Sequence, residues 1–248
     1  MSSGSIDIHK FLNQCGKNLT WLNISNIIYN MCKAIDICHY YDILHGDIKP
    51  QNFIITKDFQ IKLIDFGISI CYFSYQENEL NNMVHTLQYR APEVLLGYKN
   101  YTKSVDIWAL GCTIFEVINS KTDGHGIKRL FQLHNDDNNN DSIRQTYKQL
   151  MVIMECILYV YPNVYNDKLL RTYPLWENYE NEIIKNNITL KGIYIPLQLE
   201  SIEKPFNTIL KSCLYINPKY RPSASKLSII TLNILNQFSS SSSSNTTT

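Results

Sequence analysis

Ile24, Ile27, Ile28, Met31, Cys32, Ile35 and Cys38 recur along the chain at steps of mostly three and four residues. That spacing gathers them on one face of a helix and predicts an amphipathic helix over 25–41. Trp108, Ala109, Cys112, Ile114, Phe115 and Val117 form a second stretch, apolar almost all round. Such a pattern belongs to a helix buried in the middle of a domain. Further helices are expected over 150–158 and 227–235. The strand signal is short. Phe53-Ile54-Ile55-Thr56, a Lys57-Asp58 turn and Gln60-Ile61-Lys62-Leu63-Ile64 read as a β-hairpin. The polar loop 45–52 enters this hairpin and Asp65 leaves it, so Asp47 and Asp65 come to face one site. The fold expected is mainly α, a helical bundle with one small hairpin.

Two segments break the pattern. The polar, acidic run 135–141 has nothing to bury and reads as a surface loop, an insertion over about 134–142. Six serines, Asn245 and three threonines close the chain, and 239–248 reads as a disordered tail. The remainder, 1–238, is expected to be one domain.

Composition adds limits. The 248 residues, 44% hydrophobic and 18% charged, suit a single soluble domain with one substantial core. A net charge of +1 gives no electrostatic footprint for nucleic acid or a membrane surface. Apolar runs such as 156–161 are too short to span a bilayer, and 1–20 lacks the pattern of a signal peptide. Seven cysteines are scattered without a C-x-x-C pair, which favours reduced thiols over a disulfide framework or a zinc site. N-x-S/T triplets at Asn18, Asn23, Asn100, Asn140, Asn187 and Asn245 then read as products of an Asn-rich sequence. A cytoplasmic or nuclear setting is expected.

Candidate chemistry sits in the polar loop, His45-Gly46-Asp47-Ile48-Lys49-Pro50-Gln51-Asn52. Asp65-Phe66-Gly67, Ala91-Pro92-Glu93, Asp106-Ile107-Trp108-Ala109-Leu110-Gly111 and Asn217-Pro218-Lys219-Tyr220-Arg221-Pro222 follow it. In order and spacing this set resembles the signatures of eukaryotic protein kinases, over roughly 6–235. A lone D-F-G is weak; five motifs in register are specific. Lys49 in D-x-K-P-x-N, with Thr86 ahead of Ala91-Pro92-Glu93, resembles the serine/threonine branch and its cyclin-dependent-kinase-like group.

The resemblance implies the C-terminal lobe of that fold and a division of roles. Asp47 would accept the proton of a substrate hydroxyl, and Lys49 would stabilise charge on the moving phosphoryl group. Asn52 and Asp65 would hold magnesium through oxygen ligands, and Ile54 would floor the adenine pocket of ATP. Asp106 would accept amides of the catalytic loop, and Glu93 and Arg221 would form a buried ion pair. His45 and Phe66 would be packed scaffold. His9, His39, His85, His125 and His134 lie in no catalytic or metal-ligand motif and read as ordinary histidines.

Two departures shape the functional expectation. The stretch 1–12 resembles the hinge and the first helix after it. Only Gly4, Gly16 and Gly46 precede Asp47, so no G-x-G-x-x-G is present, and Lys10, Lys17 and Lys33 lie in no V-A-I-K context. The expectation is a kinase-like lobe without its ATP-binding N-lobe. One lost charge-stabilising donor alone costs on the order of 10²–10³ in rate. Gly46 also stands where the family usually carries an arginine that pairs with a phosphorylated activation segment, and Asn81 falls at the usual phosphosite.

The first reading is therefore an inactive serine/threonine-kinase-like protein, a binding or scaffold module in which ATP and Mg²⁺ binding is doubtful. The alternative is an active kinase whose N-lobe comes from a longer product or a second chain; a third is a degenerate gene fragment. Expected partners are a protein substrate or binding protein, or a chain supplying the N-lobe, and neither nucleic acid nor membrane.

Overall fold

The computed structural model describes residues 5–71, 86–100, 102–122, 129–131, 142–160, 168–186 and 203–244. Asn81, the run 135–141 and residues 245–248 lie outside the described residues. The chain is mainly helical, with a small hairpin at the polar loop as the hydrophobic pattern predicts.

Strand β1 (Ile6–Asp7) leads into helix α1 (Ile8–Cys15), whose first turn is capped by Asp7 accepting the Lys10 amide at 2.9 Å. Helix α2 (Trp21–Tyr40) begins four residues before the expected start. The cause is a capping box: the Asn23 amide donates to Thr20 Oγ1 at 3.1 Å, while the Thr20 amide donates to Asn23 Oδ1 at 2.9 Å.

After α2 come β2 (Ile43–Leu44), the polar loop, β3 (Phe53–Ile55), β4 (Ile61–Leu63) and β5 (Ile70–Cys71). β3 and β4 are the predicted hairpin, with Phe53 opposite Leu63 and Ile55 opposite Ile61. Two further pairings accompany it. β1 adds an antiparallel edge to β3, Asp7 opposite Ile54, and β2 pairs with β5, Leu44 opposite Ile70.

The short helix α3 (Pro92–Leu95) precedes α4 (Ser104–Thr122), which is buried nearly throughout. Trp108 on α4 stacks on Phe131 with ring centroids 5.6 Å apart. α5 (Ser142–Val160), α6 (Trp176–Asn186), α7 (Lys204–Cys213) and α8 (Ala224–Ser244) complete the bundle. α7 buries Phe206, Ile209, Leu210 and Cys213, a helical stripe. α8 lies along α2, and Phe206 stacks between Trp21 and Phe238.

Two expectations are corrected. α5 starts at Ser142, eight residues before 150, at the edge of the expected polar loop. α8 continues through the serine run to Ser244, where a disordered tail from 239 was expected. Ser239 and Ser240 donate their hydroxyls back to the Leu235 and Asn236 carbonyls, which satisfies these two side chains within the helix. Among the described residues no helix is long and apolar enough to cross a membrane.

Candidate active site

The polar loop hangs from α4. Gly46 takes a positive φ of 80°, which turns the chain so that two successive amides face one carboxylate. The His45 amide donates to Asp106 Oδ2 and the Gly46 amide to Asp106 Oδ1, each at 2.9 Å. The His45 ring braces the next residue. Its Nδ1 accepts the Asp47 amide at 3.2 Å, so Nε2 carries the hydrogen donated to the Ile64 carbonyl at 3.0 Å. Ser69 Oγ donates to the His45 carbonyl at 3.0 Å, beside the β2–β5 pairing.

Asp47 stands at the centre of a converging set of donors. Lys49 Nζ reaches its Oδ2 at 2.5 Å. Thr86 donates to Oδ1 from both its amide, at 3.2 Å, and its hydroxyl, at 2.9 Å. The same hydroxyl accepts Lys49 Nζ at 2.9 Å, which closes a ring of three side chains. Asn52 Nδ2 donates to the Asp47 carbonyl at 2.7 Å and to its Oδ2 at 3.1 Å. Partial burial pushes the Asp47 carboxyl up, but the hydrogen bonds from Lys49 and Thr86 outweigh it and hold the group below its ordinary value. Asp47 is therefore a carboxylate at neutral pH, acceptor only, and chemically fit to take a proton.

The hairpin delivers the second acid. The Ile64 amide donates to the Asn52 carbonyl at 2.9 Å, which brings the residue after Ile64 alongside the end of the loop. That residue, Asp65, takes a left-handed φ of 67° and is exposed. Asn52 has committed its amide nitrogen to Asp47, so Oδ1 is the end left to act as a ligand. Among the described residues no group of three or more His, Cys, Asp or Glu side chains could hold a metal ion. Magnesium needs less from a protein when phosphates share its coordination, commonly one or two side chains. Asn52 and Asp65 fit that donor set. Ile54 is half-buried on β3, between Asp7 and Lys62 on the flanking strands.

The supporting expectations fare differently. Arg221 donates from Nη1 and Nη2 to Glu93 at 2.6 and 2.8 Å, with both side chains buried, and its remaining hydrogens reach backbone carbonyls of Ser104, Tyr215 and Ile216. This is the expected ion pair, and it ties α3 to the turn before α8. Asp106 accepts the loop amides as expected.

Phe66 departs from expectation. Its ring lies edge-on to His45 at 4.9 Å, yet the residue is 45% exposed, because nothing described covers its other side. His39 is a core histidine with a polar partner. Its Nε2 lies 2.9 Å from Asp106 Oδ2. Position on the buried side of α2 was the only sequence signal for it. Glu116 was also missed: it is fully buried on α4 and accepts the Tyr89 hydroxyl at 2.7 Å.

Comparison with known proteins gives the family. The family described as Protein kinase domain matches residues 2–229, and the chain belongs to that family. It is 37% identical over 127 residues to Cell division control protein 2 homolog 3 of Trypanosoma brucei brucei, covering 51% of this chain and 40% of that protein. To Cyclin-dependent kinase B2-1 of Arabidopsis thaliana it is 35% identical over 131 residues, 51% and 42% of the two chains. To Cyclin-dependent kinase 17 of Caenorhabditis elegans it is 37% identical over 112 residues, 45% and 17%. The chain thus spans less than half the length of the curated relatives it matches. Among solved structures, the yeast RNA Pol II CTD kinase CTDK-1 complex shares the fold, with a TM-score of 0.65 over 91% of this chain and 66% of that chain at 20% identity.

Proposed function

We propose that the chain is the C-terminal lobe of a serine/threonine protein kinase of the cyclin-dependent-kinase-like group, and that these residues by themselves do not turn over. The supporting observation is the Asp47 cluster. A carboxylate held ionised by Lys49 and Thr86, with the Asn52 amide donating to the same oxygen as Lys49, is an arrangement that phosphoryl transfer uses and a pure scaffold has no need of. Asp47 takes the proton of a protein serine or threonine hydroxyl. Lys49, anchored on Asp47 and Thr86, supplies positive charge beside it. Asn52 Oδ1 and Asp65 would hold magnesium, and Ile54 would lie under the adenine. When bound, Mg-ATP supplies the phosphoryl group and neutralises its charge.

No glycine-rich loop and no V-A-I-K lysine occurs in the 248 residues. Roofing of the nucleotide therefore comes from elsewhere, and the expected partners are that roofing segment and a protein substrate. Calorimetric titration of the chain with Mg-ATP should show no micromolar binding; micromolar affinity would overturn the claim that the lobe alone is idle. Fused to a nucleotide-covering lobe, the chain should phosphorylate serine or threonine, and Asp47→Asn should lower that rate by about 10²-fold or more. A fusion whose rate is untouched by the substitution would show that Asp47 is not the base.

A further inference from the structure

A groove of about 870 Å³ opens between the end of α2, the start of α4 and the turn that leads into α8. Pro218, Pro222 and Ala224 line its α8 side. None of Asp47, Lys49, Asn52 or Thr86 lines it, so it is separate from the site described above. Its α2 lip is aromatic. Tyr40 is 80% and Tyr41 62% exposed, with ring centroids 5.2 Å apart and planes at 86°. Ile37, one turn before Tyr41, is 51% exposed. An exposed apolar cluster beside a concave surface marks an interaction site.

Charge decides what fits there. His39, Lys103 and Arg221 also line the groove, but each is committed, to Asp106, to Asp42 and to Glu93. Asp36 is the remaining charged side chain of the lining. It stands one helical turn before Tyr40, on the same face of α2. Among the described residues it has no hydrogen bond or ion pair. Lys33, the nearest lysine along the helix, lies over the Tyr29 ring instead, 6.0 Å from its centroid. We propose that the groove docks an arginine-bearing segment of a partner protein, with the guanidinium stacked on Tyr40 and paired with Asp36. The residues flanking that arginine seat between Ile37 and Pro222. A guanidinium offers both a planar face for an aromatic ring and a two-pronged donor for a carboxylate. Lysine brings only a point charge. A nucleic acid also presents flat rings, but Asp36 repels its phosphates. The groove is larger than any one side chain, which suits a peptide segment over a lone cation. Nothing in the proposal uses phosphoryl transfer, so it stands apart from the kinase reading.

Selection of a random peptide library, displayed on phage, against the whole chain tests this directly. Enriched peptides should share an arginine. The leading peptide, synthesised and titrated by calorimetry, should bind Tyr40→Ala and Asp36→Asn about tenfold more weakly than the parent chain. Replacing its arginine by lysine should weaken binding about threefold or more, and by alanine about tenfold. Tyr40 is largely exposed, so its removal should leave the thermal midpoint unchanged. Asp36→Asn is nearly isosteric and carries the test if the alanine variant fails to fold. No enriched peptide, enriched peptides without arginine, lysine binding as well as arginine, or binding indifferent to both substitutions overturns the proposal. Sedimentation showing self-association that Tyr40→Ala abolishes also overturns it, because a second copy is then the occupant. If no fusion transfers phosphate, the kinase reading fails, while the peptide results still decide the role of the groove.

Discussion

Gly46 sits at φ 80° between His45 and Asp47, and its amide is one of the two that Asp106 holds. A side chain there meets the steric cost of the left-handed region while gaining no new partner. Gly46→Ala should lower stability by about 1–2 kcal/mol, read as a shift of the urea midpoint. An unmoved midpoint would mean that the loop bears no strain at this position. The same residue explains what the sequence can and cannot disclose at this scale. Asp47, Asn52, Asp65, Glu93 and Arg221 are legible because each belongs to a motif with fixed neighbours. His39 and Glu116 are not, because their partners lie far away in sequence: Asp106 is 67 positions from His39, and Tyr89 is 27 from Glu116. Periodicity says that a residue faces inward; it does not say what it meets there.

The elements show the same division between interior and ends. The apolar stripe of α2 and the all-round apolar character of α4 follow from spacing, and both helices lie where that spacing puts them. Their ends depend on hydrogen bonds that spacing does not encode, such as the Thr20–Asn23 box that starts α2. Strands β1, β2 and β5 have two residues each, too few to alternate visibly, and they exist only through their partners. Helix packing gives a sharper test. A Cβ on Gly111 of α4 would lie 2.7 Å from Cys213 Cβ and 3.2 Å from Leu214 Cδ2, at the close approach to the end of α7. Gly111→Ala should force these helices apart and destabilise the chain by about 1–3 kcal/mol. Cys213→Ala keeps the offending Cβ and should not relieve it, whereas Cys213→Gly should. Thermal unfolding of the single and double variants checks the pattern, and full rescue by alanine would place the clash elsewhere.

At the scale of the whole molecule, α4 carries one buried acid at each end of its buried stretch, and the two respond oppositely to pH. Asp106, beneath the polar loop, is held below its ordinary value despite burial, so its contribution to stability is present at neutral pH and is lost on acidification. Glu116 lies under Tyr89, which precedes α3. Oε1 accepts the Tyr89 hydroxyl, and among the described residues the buried Oε2 has no hydrogen-bond partner. Burial pushes the carboxyl up to about 7, although the Tyr89 hydrogen bond and the positive charge of Arg129 act against the rise. The unfolded chain gives up this proton near the ordinary glutamate value, about 4.3. Between there and about 7 the folded state binds the proton more tightly, so unfolding releases it and stability falls as pH rises through that window. Above the window the loss is complete. Glu116→Gln keeps an oxygen for Tyr89 and removes the titration. It should match the parent near pH 5 and exceed it at about pH 8, by an amount on the order of 1–3 kcal/mol. Urea denaturation of both proteins at about pH 5, 6.5 and 8 measures the difference, in which every other titrating group cancels. A difference that stays constant across the three conditions would mean that Glu116 enters the fold already ionised, with its charge met by a partner such as Arg129.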